Sequence, residues 1–573
     1  MLMSVEKVNA QWRANVKEFF KESLNDLREE IGRSYDLVRT KGPSQFQFWL
    51  IALVVGAASG CAAVAFRLGI ELLQSTLYRT DDINHLHTHL GTVNWIWVIL
   101  IPTVGGLLVG LLLQRFTPDG RVRSVADVIE GAALNGGRVE VKEGLASALA
   151  SLITLSSGGS TGREGPVVHL AGVLATRMSG WIHADAISGR NLLGCAVAAA
   201  VSASFNAPIA GALFALEVVL RHFAIHAFAP IVVASVAGTV VSRLTFGDVS
   251  EFVLSSRTFL QFYAELPAFF ILGLVSGLVA VVLMRAIFWA DQLGNRLEAA
   301  LQFPAWSRPM ISGFLLGGIA LMFPHIIGVG YETTARALAG DMLLYEALVF
   351  VVLKIIAVSI TMAGRMGGGV FSPALMVGGL TGLAFGLIAT GIFPSVSGEA
   401  TLYALAGMGA VAAAVLGAPI STTLIVFELT GDWHTGLAVM VAVSMSTALS
   451  SRMVSQSFFL TLLARRNLQL AAGPQAYLMG MYGVATVMRP LDHEHAAPFD
   501  QLEALVAEGT VLQTGQTLRD AMPIFDRTGA AFVPVVKSAR GEEAPDIVGA
   551  VFQVDALRTF NRALAATAAE EHS

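Results

Sequence analysis

Charged side chains are scarce in this chain. Asp, Glu, Lys and Arg make up 14% of its 573 residues, where a soluble domain carries roughly 25%. With 54% hydrophobic residues and a mean hydropathy of +0.65, that shortage excludes an ordinary soluble globule. It points to an integral membrane protein with soluble appendages. The net charge of −5 leaves no electrostatic footprint for nucleic acid. Cysteine is almost missing: Cys61 and Cys195 both sit in apolar runs and read as buried free thiols rather than a disulfide. No HExxH pattern occurs and no nucleophile stands out beside a base, so no enzyme and no metal centre are expected. Residues 1–44 are mixed in charge and run into a true membrane span, unlike a cleaved leader.

What the chain does have is apolar segments of very unequal length. Residues 4–38 carry Val5, Val8, Trp12, Val16, Phe19 and Leu24 near helical spacing. They read as an amphipathic helix, lying on the membrane or on the protein's own cytosolic parts. Arg33, Arg39 and Lys41 precede the first span and put the N-terminus in the cytosol. That span runs from about Phe46 to Leu77, longer than a straight crossing needs, so it is tilted. Arg67 and Glu71, four apart within it, are expected to pair or to face a cavity. The alternate histidines His85, His87 and His89 read as a polar loop in preference to a metal site. After a second span, Trp95–Leu113, the runs turn irregular: about 124–134, 143–156, 166–182, 191–204, 208–221 and 228–243. Long segments follow at about 263–292 and 309–328, then a second irregular series from 343 to 467. Segments too short to cross alone point to discontinuous helices meeting near the midplane. Lys354 is expected to snorkel or pair.

Among these segments Ser156-Ser-Gly-Gly-Ser-Thr-Gly-Arg-Glu-Gly-Pro166 stands out, since it sets an Arg and a Glu between apolar runs. Broken backbone at membrane depth survives only where protein or water satisfies it, and an ionisable residue there is a functional candidate. A helix beginning near Pro166 turns its free N–H groups and positive dipole end toward the loop, a seat for an anion. Glu164 carries the anion's own sign beside that seat, so carboxylate and anion compete, which makes a gate. Arg163 reads as a loop-pairing residue. A second copy follows: Gly162-Arg-Glu-Gly-Pro166 matches Gly369-Val-Phe-Ser-Pro373, 207 residues on. Asn206-Ala-Pro-Ile…Glu217 matches Gly417-Ala-Pro-Ile…Glu428, 211 residues on. Near-equal offsets indicate an internal duplication, and inverted halves would aim both breaks at one central site.

These motifs resemble the CLC family of chloride channels and chloride/proton exchangers, over about residues 45–470. The resemblance implies an all-α polytopic membrane protein with an inverted-repeat fold, its halves at about 45–245 and 260–470. Carried over by position, Glu164 is the gate. The backbone at Gly165, Val370 and Phe371, the Ser124 hydroxyl and the Phe459 ring face the anion. Three departures are visible. Ser124 lies in Arg123-Ser-Val-Ala-Asp127, without the family's flanking glycines and proline; Phe459 lacks the family tyrosine's hydroxyl; and Val218 occupies the internal proton-accepting position. A valine takes no proton, which favours a channel over an antiporter. His222, a turn away, is the only nearby substitute and reads better as a helix-end residue.

The expected function is chloride conduction by a homodimer of the inner or plasma membrane, with both termini cytosolic and membrane lipid around it. The apolar faces of 208–221, 228–243, 421–430 and 435–451 would form the interface. Chloride/proton antiport is the alternative, ahead of fluoride export, which Ser124 opposes, and of a membrane-anchored nucleotide sensor. From Tyr477 the composition turns soluble, and residues 477–565 look like a single CBS-like cytosolic α+β domain. The resemblance allows an adenine nucleotide there, with no other cofactor beyond chloride as substrate. Residues 1–44 form the N-terminal helix and 566–573 a disordered tail.

Overall fold

The computed structural model describes residues 44–80, 85–223, 225–247, 265–394, 397–466, 468, 478–537 and 546–572. The amphipathic helix expected over 4–38 lies outside them. The first half contains α1 Gln45–Tyr78, α2 Trp95–Phe116, α3 Val125–Leu134, α4 Val141–Ser156 and α5 Glu164–Trp181. It continues with α6 Ala186–Phe205, α7 Pro208–Phe214 and α8 Ile225–Phe246; α7 runs on as a π-helical turn, Ala215–Leu220. The second half repeats the plan with α9 Leu266–Leu301, α10 Ser307–Met322, α11 Tyr331–Ala339, α12 Leu344–Ala363 and α13 Phe371–Ile392. It closes with α14 Ala400–Leu416, α15 Pro419–Thr430, α16 Trp433–Met453 and α17 Phe458–Ala464.

Among the described residues, 8 helices are long and apolar enough to cross a membrane, while α7, α10, α14 and α15 are too short by that measure. Of these, α7, α14 and α15 fall in the broken apolar runs, whereas α10 falls in a run, 309–328, that read as long. Helix α1 begins at Ser44, where Gln47 and Ser44 form a reciprocal capping box, and its 34 residues span about 51 Å at 1.5 Å per residue. That exceeds a hydrocarbon core of about 30 Å and requires tilt or protrusion. Small residues set its packing: a Cβ on Gly56 would stand 2.5 Å from the Ala234 carbonyl oxygen of α8, so only glycine allows this approach. Helix α9 outruns the expected 263–292 because its polar end, with Asp291 and Glu298, stays helical and anchors the buried Arg308 of α10. Helix α10 stops at Met322, short of 328, because Pro324 follows and cannot continue the ladder. At the centre, α6 and α14 are Ala-rich and α14 is buried along its whole length, a core made of small side chains.

The soluble tail is a small α+β unit. Strands β1 Arg489–Pro490, β2 Leu512–Gln513, β3 Phe532–Lys537 and β4 Asp546–Phe552 form one sheet in the order β1-β4-β3-β2. Helices α18 Phe499–Ala507, α19 Leu518–Thr528 and α20 Gln553–His572 cover it. Leu518, Ala521 and Phe525 lie on one face of α19 and pack with Val533, Val535 and Val551 of the sheet. Helix α20 carries helical backbone through 566–572, where a disordered tail was expected. A short turn, Leu478–Met481, rests on α3 and seats the tail on that side of the membrane helices.

Candidate functional site

Helices α5 and α13 begin where the two halves are pinned together. The Gly162 N–H donates to the Gly369 carbonyl at 2.7 Å, and the Gly369 N–H returns the bond to Gly162 at 2.8 Å. The support is reciprocal too: Ser160 N–H donates to Thr361 Oγ1 and Gly367 N–H to Thr154 Oγ1, each at 3.1 Å. Such exchanged bonds require a two-fold relation between the halves. The Thr161 hydroxyl also donates to the Gly369 carbonyl at 2.9 Å. Gly368 has φ +143°, and the Thr161 side chain occupies the space a Cβ would need, so no other residue fits there. Gly158-Gly159-Ser160-Thr161-Gly162 has the spacing of a hydrolase nucleophile elbow. It is instead a buried helix-to-helix loop rather than a strand–turn–helix, which argues against that chemistry.

Between the two helix starts lies a cavity of about 20 Å³, lined by Ser124, Glu164, Gly165, Val370, Phe371 and Phe459. Six residues singled out from sequence therefore meet in one place. Its volume suits about one water-sized occupant. First-turn N–H groups have no intrahelical acceptor, and two such helix starts concentrate positive potential here. The Glu164 side chain is 2% exposed, and its Oε1 accepts a 2.5 Å bond from the Ser372 hydroxyl. Phe459 is buried in the cavity wall with Phe458 beside it, so it is not a lipid-facing residue. Phe371 is held by Phe205 and Phe214, with ring centroids 4.7 and 5.8 Å away. Ser124 caps α3, and the Asp127 carboxylate accepts its N–H at 2.7 Å. Asp127 also binds Arg466 at 2.7 Å, tying the end of α17 to the start of α3. The Asp127–Arg466 pair thereby helps to fix the Ser124 backbone. Arg163 turns away from the cavity, donating to the Ser204 carbonyl at 3.2 Å and lying over the Tyr331 ring.

Val218 does not join this group. It is buried in the π-helical turn and lines neither the cavity nor the chambers flanking it. Its neighbour Glu217 reaches across the halves: its carboxylate accepts the N–H groups of Ile420 and Ser421 at 3.0 and 2.8 Å. Glu428 does the same for Ile209 and Ala210, at 3.0 and 2.8 Å. Lys354 is fully buried and donates to the carbonyls of Ile326 and Gly328 at 3.3 and 3.0 Å. Arg67 and Glu71 pair at 2.9 Å. His87 meets Glu332 at 2.8 Å and stacks on His325, and among the described residues no three His, Cys, Asp or Glu side chains gather to hold a metal.

Sequence reasoning missed Ser372, Phe458 and the Asp127–Arg466 pair. Ser372 was within reach, because it stands inside the repeated Gly-x-x-x-Pro motif. Two chambers flank the cavity: one of about 390 Å³ that includes Arg163, the other of about 220 Å³ that includes Asp127.

A family model described as voltage gated chloride channel matches residues 105–451. A ClcB-like protein of Ralstonia nicotianae is 30% identical over 396 residues, 68% of this chain and 91% of that one. The voltage-gated ClC-type chloride channel ClcB of Escherichia coli O17:K52:H18 is 28% identical over 422 residues, 72% of this chain and 98% of that one. Among solved structures, a slow cyanobacterial Cl−/H+ antiporter superposes with a TM-score of 0.66 at 20% identity, covering 74% of this chain and 98% of its own. The broken, duplicated helices and the family match agree, and the chain belongs to the voltage gated chloride channel (CLC) family, built on its inverted-repeat membrane fold.

Proposed function

We propose that the chain moves chloride across the membrane through the cavity between α5 and α13, with Glu164 as the gate. One observation carries this reading: a buried carboxylate sits between two pinned helix starts, in a space that suits a single small occupant. Chloride and the carboxylate therefore exclude each other. Protonation removes the carboxylate's charge, weakens its hold on the helix starts, and frees the seat. Backbone amides, the Ser124 hydroxyl and the ring edges of Phe371 and Phe459 then replace part of the ion's hydration without trapping it. None of these groups makes or breaks a covalent bond, which fits a transport protein and not an enzyme.

Val218 carries no titratable group, which favours passive conduction over coupled exchange. Antiport is the second reading, supported by the retained and deeply buried Glu164. Reversal potentials measured on purified protein across a pH gradient separate the two. A potential set by chloride alone supports conduction, and one displaced by pH supports antiport. Ser124 in the cavity wall favours chloride over fluoride, which a paired flux measurement checks.

In this reading the protein is a homodimer of the inner or plasma membrane with cytosolic termini, pairing through α7, α8, α15 and α16. Exposed Ile209, Val236, Ile420 and Met440 on those helices support that face. The tail is a CBS-like unit, a reading supported by its strand–helix alternation, and an adenine nucleotide is the ligand to test. Cross-linking in native membrane and calorimetric titration of full-length protein with ATP test these two points.

A further inference from the structure

Beyond the central cavity, the same three elements enclose the chamber of about 220 Å³. On α3, Ser124 and Val125 face the cavity, while Asp127 and Glu130 face the chamber. On α5 the division falls between Val168 and His169; on α17 it falls between Leu462 and Arg466, just past the helix end. The two spaces thus lie against neighbouring residues of the same three elements, as successive compartments of the passage proposed above would. The chamber lies on the tail's side, because the turn Leu478–Met481 packs on α3.

His169 is out of place in that wall. It is 2% exposed, and neither ring nitrogen has a hydrogen-bond partner among the described residues. Its ring fills the space over Gly144 of α4, where an added Cβ would stand 2.6 Å from Cε1 and 2.9 Å from Nδ1. A buried polar ring without a protein partner calls for an explanation in water or in function. Imidazole is the side chain that takes a proton on one nitrogen and releases one from the other near neutral pH. His169 is five residues past Glu164, about 7.5 Å along the helix axis.

Arg123 is bound to Asp119 at 2.8 Å and to Glu140 at 3.0 Å, and Arg466 is bound to Asp127. Arg138 donates to the Ala184 carbonyl, and Arg190 of α6 donates to the Leu220 carbonyl. Lys142 and Glu143 flank Gly144 in sequence. Asp127 and Arg123, of opposite sign, share the chamber wall with the ring. Among the described residues no cation is paired with Glu130, which leaves it as the chamber's available proton carrier.

We propose that His169 is a proton relay between this chamber and Glu164, so that pH on the tail's side sets the gate. The inference rests on the gating reading above. A proton from chamber water, passed on by the Glu130 carboxyl, binds one ring nitrogen of His169. The imidazolium releases the proton on its other nitrogen to water that leads past Val168, because five residues turn His169 about 140° around the helix from Glu164, and that water protonates the Glu164 carboxylate. Only N–H and O–H bonds exchange, and a half-turn of the ring about Cβ–Cγ then exchanges the two nitrogens and restores the first tautomer. His169 is a relay in this scheme and not a ligand of the anion.

The test uses full-length protein in vesicles whose inner and outer pH are set independently, with orientation read from protease access to the tail. Chloride efflux is compared for wild type, H169Q, E130Q and E164Q. The relay predicts that H169Q loses at least tenfold of the acceleration produced by acid on the tail's side, keeping its response to acid on the opposite side. E130Q loses a smaller part of the same response. A wild-type response from the tail's side in H169Q overturns the relay and leaves the gate standing. Wild type without any pH response, matching E164Q, overturns the gate and the relay together. If H169Q does not fold, E130Q decides, and an unaltered tail-side response there overturns the proposal.

Discussion

Two pairs of proline-bearing helix starts face each other across this molecule, and they are finished in opposite ways. At α7 and α15, each start is closed by a carboxylate from the other half: Glu428 binds Ile209 and Ala210, and Glu217 binds Ile420 and Ser421. At α5 and α13, the starts are pinned through Gly162 and Gly369 and open onto the cavity. The acid nearby, Glu164, is bonded to the Ser372 hydroxyl. Two charge-assisted bonds to rigid backbone make a rivet, whereas a bond to a rotatable hydroxyl can open as a latch does. Similar helix ends thus serve for assembly in one place and line a cavity in the other, and the backbone bonds from Ile209, Ala210, Ile420 and Ser421 mark the assembly pair.

The sharpest way to break this contrast is E164Q. It is expected to abolish acid activation and raise chloride flux at neutral pH by about tenfold or more, the equivalent of about 1.4 kcal/mol removed from the closed state. Flux measured against pH checks this, and an intact acid response would make the latch no different from the rivets. Next in size, E217A or E428A uncaps a helix and is expected to destabilise the fold by about 3 kcal/mol, from two lost bonds to a charged group. Thermal unfolding in detergent reads that loss, while flux per folded molecule keeps its pH profile. A changed profile in E428A would merge the two classes of acid.

Smaller changes sharpen the latch itself. The Ser372 hydroxyl stabilises the charged carboxylate, so S372A is expected to move acid activation to higher pH by about one unit, the worth of one charge-assisted bond. S124A removes a neutral hydroxyl from the cavity and is expected to weaken chloride binding by about 1 kcal/mol, read by calorimetry. The smallest effect separates acid gating from acid unfolding. Burial, then Arg336 and His85, hold His87 down at about 4, and burial, His87 and Arg336 do the same for His325 against the pull of Glu332 and Glu346. The 2.8 Å contact of His87 with Glu332 is therefore a hydrogen bond from a neutral ring at physiological pH. A folded pKa below the usual 6.5 means stability that is complete above pH 6.5 and drains as pH falls toward 4. H325F, which keeps the ring stacked 4.2 Å from Phe350, should flatten part of that slope in a melting series without altering the flux profile.

Much of this was readable before any coordinates. The broken runs and the repeated Gly-x-x-x-Pro motif located both cavity-forming helix starts, because glycine, proline and an isolated acid are conspicuous in an apolar background. Ser124, Glu164, Gly165, Val370, Phe371 and Phe459 converge for that reason. The partner of Glu164 was not legible, since a serine in a small-residue helix gives no signal until the second half folds onto the first. Helix ends also drifted wherever polar residues stay helical: Asp291 and Glu298 extend α9 because Arg308 of another helix binds them, a fact no local pattern holds. The π-helical turn at Ala215–Leu220 was unreadable too, because one extra residue in a turn leaves hydrophobic spacing nearly unchanged.

The crossed caps have a consequence for how the chain is made. During synthesis, the start of α7 emerges with Ile209 and Ala210 bare, and the acid that closes it is 219 and 218 residues downstream. Until the ribosome has delivered Glu428, the first half holds an unfinished helix end at membrane depth. A chain ending before Glu428 therefore lacks the cap of its α7 start and is expected to be less stable in its first half, which protease sensitivity of such a truncated product checks.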